Sequence, residues 1–244
     1  ISMRLVPFII LASGALASST GTAVSQPSEI LVDNDYMSSG FFQSDFLRGE
    51  DTNSGRATNR VTSPSIFGVT GETGYFGFDF DPGAFSGPVQ QALFRVENVA
   101  TGFFPDVDAS NPAEISLHSL TADPLATVDQ SLPSGSGSWL DFRDSQITTS
   151  SIVSTTTVDG FGVFEWDITG LVNDWIANGD TNFDFTLGTS ALLDPDGGAA
   201  VAFVNSSSGS LSGGETTARI AIVPTPATGM LISLAGLVAA RRRR

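Results

Sequence analysis

The sequence predicts an all-β sandwich carrying one short helix, flanked by an export segment and a sorting segment. Three observations predict it. Apolar residues alternate with polar ones in short runs, Gly, Pro, Asp and Ser clusters separate those runs, and a helical period is evident only near residues 169–179 of the body.

Taken in order, residues 1–25 bring Arg4, an apolar stretch from Leu5 to Leu16, and the small residues of Ala15-Leu16-Ala17. That charged, apolar, small-residue order is a secretory signal peptide handled by a signal peptidase, with a second cut available after Ala23-Val24-Ser25. The alternative is a short buried helix, which does not require this order.

Residues 26–223 form the predicted sandwich. In residues 75–80, Phe76, Phe78 and Phe80 share one face while Gly77 and Asp79 take the other. In residues 91–97, Ala92, Phe94 and Val96 point inward and Arg95 and Glu97 point to water. Similar runs follow at 115–120, 161–166, 183–187, 200–204 and 218–223. All but one of the 18 phenylalanines lie outside the export segment. Each one buried is worth roughly 1.5–3 kcal/mol, so this core does not need disulfides. Thr169 is the expected N-cap of the one helix, whose Leu171, Val172, Trp175 and Ile176 fall on one face before Asn178-Gly179 ends it. A helix plugging one end of the sandwich accounts for that stripe without a ligand.

From residue 224 the chain reads Pro224, Thr225, Pro226, then an apolar stretch from Ala227 to Ala240, then Arg241, Arg242, Arg243 and Arg244. As a helix the apolar stretch would be about 21 Å long at about 1.5 Å per residue. This is shorter than the ~30 Å hydrocarbon core of a bilayer, although arginines can snorkel at its edge. The tail resembles the PEP-CTERM sorting signal, with Thr225 standing where that family usually has glutamate. The resemblance implies a single short transmembrane helix, recognition by an exosortase, and removal after transient anchoring in the inner membrane. A tail anchor that stays in the membrane is the alternative.

Charge divides the chain in the same way. The 244 residues carry 26 acids and 11 basic residues, a net charge of −15. All the acids lie between Glu29 and Glu215, and residues 26–223 hold only six arginines to oppose them, so the body stands at −20; lysine is absent. A surface this anionic repels phosphate backbones and excludes nucleic acid as a partner. Cysteine is also absent, which removes disulfides, thiol nucleophiles and thiolate metal sites. The one histidine, His118, leaves little for zinc sites or Ser-His-Asp catalysis, and strand alternation over 115–120 predicts that it faces solvent.

Two sets of body residues are candidate binding sites. Trp139, Asp141 and Arg143 would share one side of a strand, an aromatic platform with polar neighbours of the kind that holds a sugar. Trp139 packed at a sheet edge is the competing reading. Asp106 with Asp108, and Asp194 with Asp196, place paired carboxylates on tight loops where calcium could bind. Neither completes an EF-hand loop, since Leu117 occupies the twelfth position of the first, and a solvated acidic turn is the preferred reading of each. Glycoside hydrolysis needs two carboxylates at a set separation, and among 26 acids some pair meets that by chance.

Most of the body resembles the DNRLRE-type domain, a jelly-roll β-sandwich related to carbohydrate-binding modules. Residues 53–61, 75–81, 89–96, 203–208 and 218–222 are similar to successive segments of that family. The most specific match runs from Trp166 to Trp175, Trp-Asp-Ile-Thr-Gly-Leu-Val-Asn-Asp-Trp, beside the family's "FDVTSLVQDW". With the tail, the resemblance implies a non-enzymatic envelope or extracellular-matrix protein of a Gram-negative bacterium, associated with exopolysaccharide or biofilm. The alternative is a secreted polysaccharide-degrading enzyme or its accessory binding domain.

Overall fold

The computed structural model describes residues 27–41, 44–49, 58–62, 73–101, 107–127, 138–180, 182–189, 200–204 and 218–224. The expected export segment, the residues beyond Pro224, and Asp106, Asp194 and Asp196 lie outside them.

The chain is mostly β. Among the described residues its strands are β1 (Glu29–Phe41), β2 (Ser44–Gly49), β3 (Thr58–Thr62), β4 (Thr73–Phe78), β5 (Val89–Thr101), β6 (Ala113–Ser119), β7 (Ile152–Val158), β8 (Gly162–Asp167), β9 (Phe185–Thr189), β10 (Ala200–Val204) and β11 (Arg219–Pro224). They form an 11-stranded sheet in the order β3-β10-β5-β11-β1-β4-β9-β6-β7, with β2 added to β1 and β8 to β5. Every pairing is antiparallel.

The long strand β1 makes the sheet curl. Glu29, Ile30 and Leu31 pair with β11, whereas from Val32 onward the strand pairs with β4, and the register shifts between Val32 and Asn34. A bulge of this kind sharpens the local twist and lets one strand serve both halves of a sheet. At the far end the sheet nearly closes, because the Thr156 hydroxyl of β7 donates to the Glu165 carbonyl of β8 at 2.5 Å.

The enclosed interior is aromatic. Phe94 of β5 meets Phe76 at a centroid distance of 5.0 Å, Phe185 at 4.7 Å and Trp166 at 5.9 Å. The Phe94–Phe185 pair is edge-to-face, which aligns the positive rim of one ring with the negative face of the other, and the other two pairs are tilted. Trp166 also donates its indole N–H to the Ile115 carbonyl at 2.9 Å, tying β8 to β6 across the core. The inward alternation expected in β4, β5, β6 and β9 is present, with Phe76, Phe78, Ala92, Phe94, Val96, Ile115, Leu117, Phe185 and Leu187 all in the core.

Helix α3 (Thr169–Asn178; α1 and α2 are the shorter Pro124–Thr127 and Ser138–Gln146) seals one end of that core. Val172 and Trp175 are buried, and Trp175 contacts Phe80 and Phe183 at 5.3 and 5.4 Å. Gly179 ends the helix in the left-handed conformation, φ 64°, and returns its N–H to the Trp175 carbonyl. The start of the helix differs from expectation. Ile168 occupies the cap position, and the Asp167 carboxylate accepts from both the Thr169 N–H and the Thr169 hydroxyl, at 2.9 and 2.6 Å. Thr169 is thereby free to accept the Ala92 N–H at 3.0 Å. One turn on, the Asn173 amide accepts the Val89 N–H at 2.7 Å and donates to the Val89 carbonyl at 3.3 Å. These polar residues act as an artificial strand edge, satisfying β5 where its ladder runs out.

Candidate functional site

Ser138–Gln146, expected as a strand, is helix α2. The period-two appearance of Trp139, Asp141 and Arg143 is therefore a coincidence of composition. In a helix, residues two apart do not return to one side as they do in a strand. Asp141 falls in the first helical turn, where an acid complements the helix dipole, and it is exposed. Arg143 is partly buried and bonds the Asp144 carboxylate through Nε at 2.9 Å and Nη2 at 2.8 Å. The strand expected to carry Trp139, Asp141 and Arg143 is thus a helix.

What α2 does is cover the outer face of the sheet. Phe142 and Ile147 are buried, and the Phe142 ring lies 6.4 Å from that of Tyr75 on β4. Beneath the helix runs a row set by strand register, in which Tyr75 stands opposite Thr186 of β9, and Thr186 opposite His118 of β6. Thr73, Ser116, Thr186 and His118 are buried polar residues. Thr186 donates to the Gly74 carbonyl at 2.9 Å, and Ser116 and Thr155 share a hydroxyl bond at 2.9 Å.

His118 corrects the expectation of a solvent-facing ring, because its exposure is 0 %. Strand alternation does turn it away from the core, but the turn at 148–151 packs against it on that side. Its Nδ1 lies 3.0 Å from the Ser151 hydroxyl oxygen. That hydroxyl donates to the Thr148 carbonyl and accepts the Thr148 N–H, so its oxygen is free to accept rather than donate toward the ring. The network assigns the proton to Nδ1 and leaves Nε2, which has no hydrogen-bond partner among the described residues, as the bare nitrogen. Burial lowers the His118 pKa to about 4, so the ring is neutral at physiological pH.

Tyr75 is held protonated for the same reason. Burial raises its pKa well above the usual phenol range, while the Thr73 and Thr186 hydroxyls and the Arg143 guanidinium pull weakly the other way. The seam is thus uncharged, rich in hydroxyls and closed to solvent: it can hydrogen-bond and orient, but no solute reaches it while α2 stays seated. At its end, Asp184 lies partly buried before β9 and its pKa rises to about 6, through burial first and the nearby Asp123 second.

Sequence reasoning missed the seam, although a signal was present. Strands whose outer face meets water carry charges there, as with Arg95 and Glu97 on β5 and Glu165 and Asp167 on β8. The outward positions of β4 and β9 are Thr73, Tyr75, Gly77, Thr186 and Gly188, all uncharged. An uncharged outer face is a covered one.

Asp108 is exposed and committed to its own turn. One carboxylate oxygen accepts the Ser110 N–H at 2.7 Å, the Ser110 hydroxyl at 2.6 Å and the Asn111 N–H at 3.0 Å, and these bonds hold its pKa down. That is an Asx-type turn. Its expected calcium partner Asp106, and the pair Asp194 and Asp196, lie outside the described residues, among which no group of three or more His, Asp or Glu side chains gathers for a metal. Pro224 ends β11, while Thr225, Pro226 and Arg241 to Arg244 are likewise outside. No protein-family model matches the chain, and no curated protein matches it.

Proposed function

We propose that this protein is exported, sorted by an exosortase at its C-terminal signal, and presented at the cell envelope or in the extracellular matrix of a Gram-negative bacterium as a non-enzymatic jelly-roll domain that associates with exopolysaccharide. The observation that carries the reading is the ordered tail, in which Pro224, Thr225 and Pro226 precede an apolar stretch and Arg241 to Arg244. Its first residue, Pro224, is also the last of β11. The antiparallel sheet curled around an aromatic core is compatible with a jelly roll, and the resemblance of residues 166–175 to the DNRLRE-type motif supports the same reading. The body's charge of −20 keeps such a domain soluble outside the cell and away from nucleic acid and anionic lipid.

Two experiments test the reading. Deleting Arg241 to Arg244 should abolish processing and strand the protein in the inner membrane; unchanged processing and location would refute the sorting proposal. Incubating the full-length protein with a glycan panel should give retention without cleavage. Release of reducing ends or unsaturated sugars would instead establish the polysaccharide-degrading alternative.

A further inference from the structure

The hairpin joining β7 to β8 displays an aromatic ring that the core does not use. Phe161 is 71 % exposed, and Val163, two residues along the same outward face, is 50 % exposed. Phe161 sits between Gly160 at φ 154° and Gly162 at φ 134°, conformations that side-chain-bearing residues rarely adopt. The apex is also pinned from behind, since the buried Asn98 donates to the Gly160 carbonyl at 2.7 Å. Isolated exposed apolar residues need no explanation. A phenylalanine held outward by two such glycines, a buried asparagine and an adjacent valine is a different arrangement, because the backbone is committed to presenting it.

The polar surroundings define what could sit there. Glu97 stands directly opposite Val163 across the β5–β8 ladder, and Glu165, the next outward residue of β8, is paired with Arg95 at 2.8 Å. Asp159 lies just before the apex. From Phe161 to Glu165 the strip is about 13 Å long at ~3.3 Å per residue, longer than one sugar ring. Carboxylates at this density repel anionic polymers and anionic lipid, whereas they accept hydrogen bonds from uncharged hydroxyls. The negative face of a phenyl ring attracts the polarised C–H face of a pyranose.

We propose that Phe161 and Val163, with the carboxylates of Glu97 and Glu165 beside them, form a subsite for an uncharged polysaccharide chain. The inference rests on the polysaccharide-associating reading above and gives it a location and a ligand class. It places the contact on the β7–β8 hairpin.

The test is calorimetric titration of the full-length protein, in detergent, with cellohexaose, xylohexaose, mannohexaose and polygalacturonate. The wild type should bind at least one neutral hexaose; F161A should weaken that binding roughly tenfold or more, with V163S losing less and F161Y staying near wild type. Because Phe161 faces solvent, the thermal midpoint of F161A should match the wild type. Equal binding by F161A and the wild type, or wild-type binding of polygalacturonate alone, would overturn the subsite while leaving polysaccharide association standing. Binding of none of the four probes would count against both.

Discussion

Strands β4, β9 and β6 are buried on both faces, and the two faces are held by different forces. On the inner face, Phe76, Phe185, Leu187, Ile115 and Leu117 pack against Phe94 and Trp166, and removal of apolar area from water does the stabilising. On the outer face, Thr73, Tyr75, Thr186, Ser116 and His118 are buried, with Tyr75 against Phe142 of α2, and hydrogen bonds compensate for lost water. The inner face tolerates any well-packed apolar substitute of the right volume. The outer face depends on particular donors, acceptors and protonation states, because an unpaired or charged group there is costly.

The largest test of that contrast is on the inner side. Phe94→Ala removes a ring that touches four others, and should lower the free energy of unfolding by about 3–5 kcal/mol in a denaturant titration at any pH. A loss below about 1 kcal/mol would mean that the aromatic cluster is not the core.

The outer face should instead betray itself by pH dependence. His118 has a folded pKa of about 4 against 6.5 unperturbed, so above pH 6.5 both folded and unfolded chains hold it neutral. As pH falls from 6.5 toward 4, the unfolded chain takes up a proton that the folded one excludes, and stability declines by up to about 3 kcal/mol in total. His118→Gln removes this term, so its stability should fall less steeply than the wild type's over that window. Parallel profiles would show that the ring is not buried and neutral.

Asp184 has the opposite sign. Its pKa is raised to about 6, so its penalty is absent below pH 3.8 and fully present above 6. Asp184→Asn should therefore stabilise the protein at pH 7, by on the order of 1–2 kcal/mol once solvent screening is allowed for, with the gain vanishing near pH 4.

The α3 end offers the smaller tests. Asn173→Ala strips β5 of a partner for the Val89 N–H and should cost about 1–3 kcal/mol in thermal or chemical unfolding. Gly179→Ala should cost about 1 kcal/mol through the left-handed backbone it must adopt.

Legibility tracked these two faces. The apolar alternation of residues 91–97, 115–120 and 200–204 located strands β5, β6 and β10, because inward burial against a single core leaves a period of two. Helix α3 was legible from its stripe and its closing glycine. By contrast, β7 reads Ile-Val-Ser-Thr-Thr-Thr-Val with no clean apolar face, and only its β-branched content hinted at a strand. Helix α2 misled because Trp139-Leu140-Asp141-Phe142-Arg143 alternates by accident, and nine residues with few apolar anchors carry little helical period. Its one local cue was Ser138 three residues before Asp141, a helix-start spacing.

By itself, then, the sequence determined the β-rich class, the positions of the strands facing the aromatic core and the helix that seals it. Those follow from local periodicity, since each short run records which of its sides meets water. Only the tertiary structure decided that β1 would bridge both halves of the sheet, that α2 would roof an uncharged seam, and that His118 would be neutral and enclosed. These depend on which distant segment covers a face, and a residue's spacing along its own strand carries no record of what settles above it.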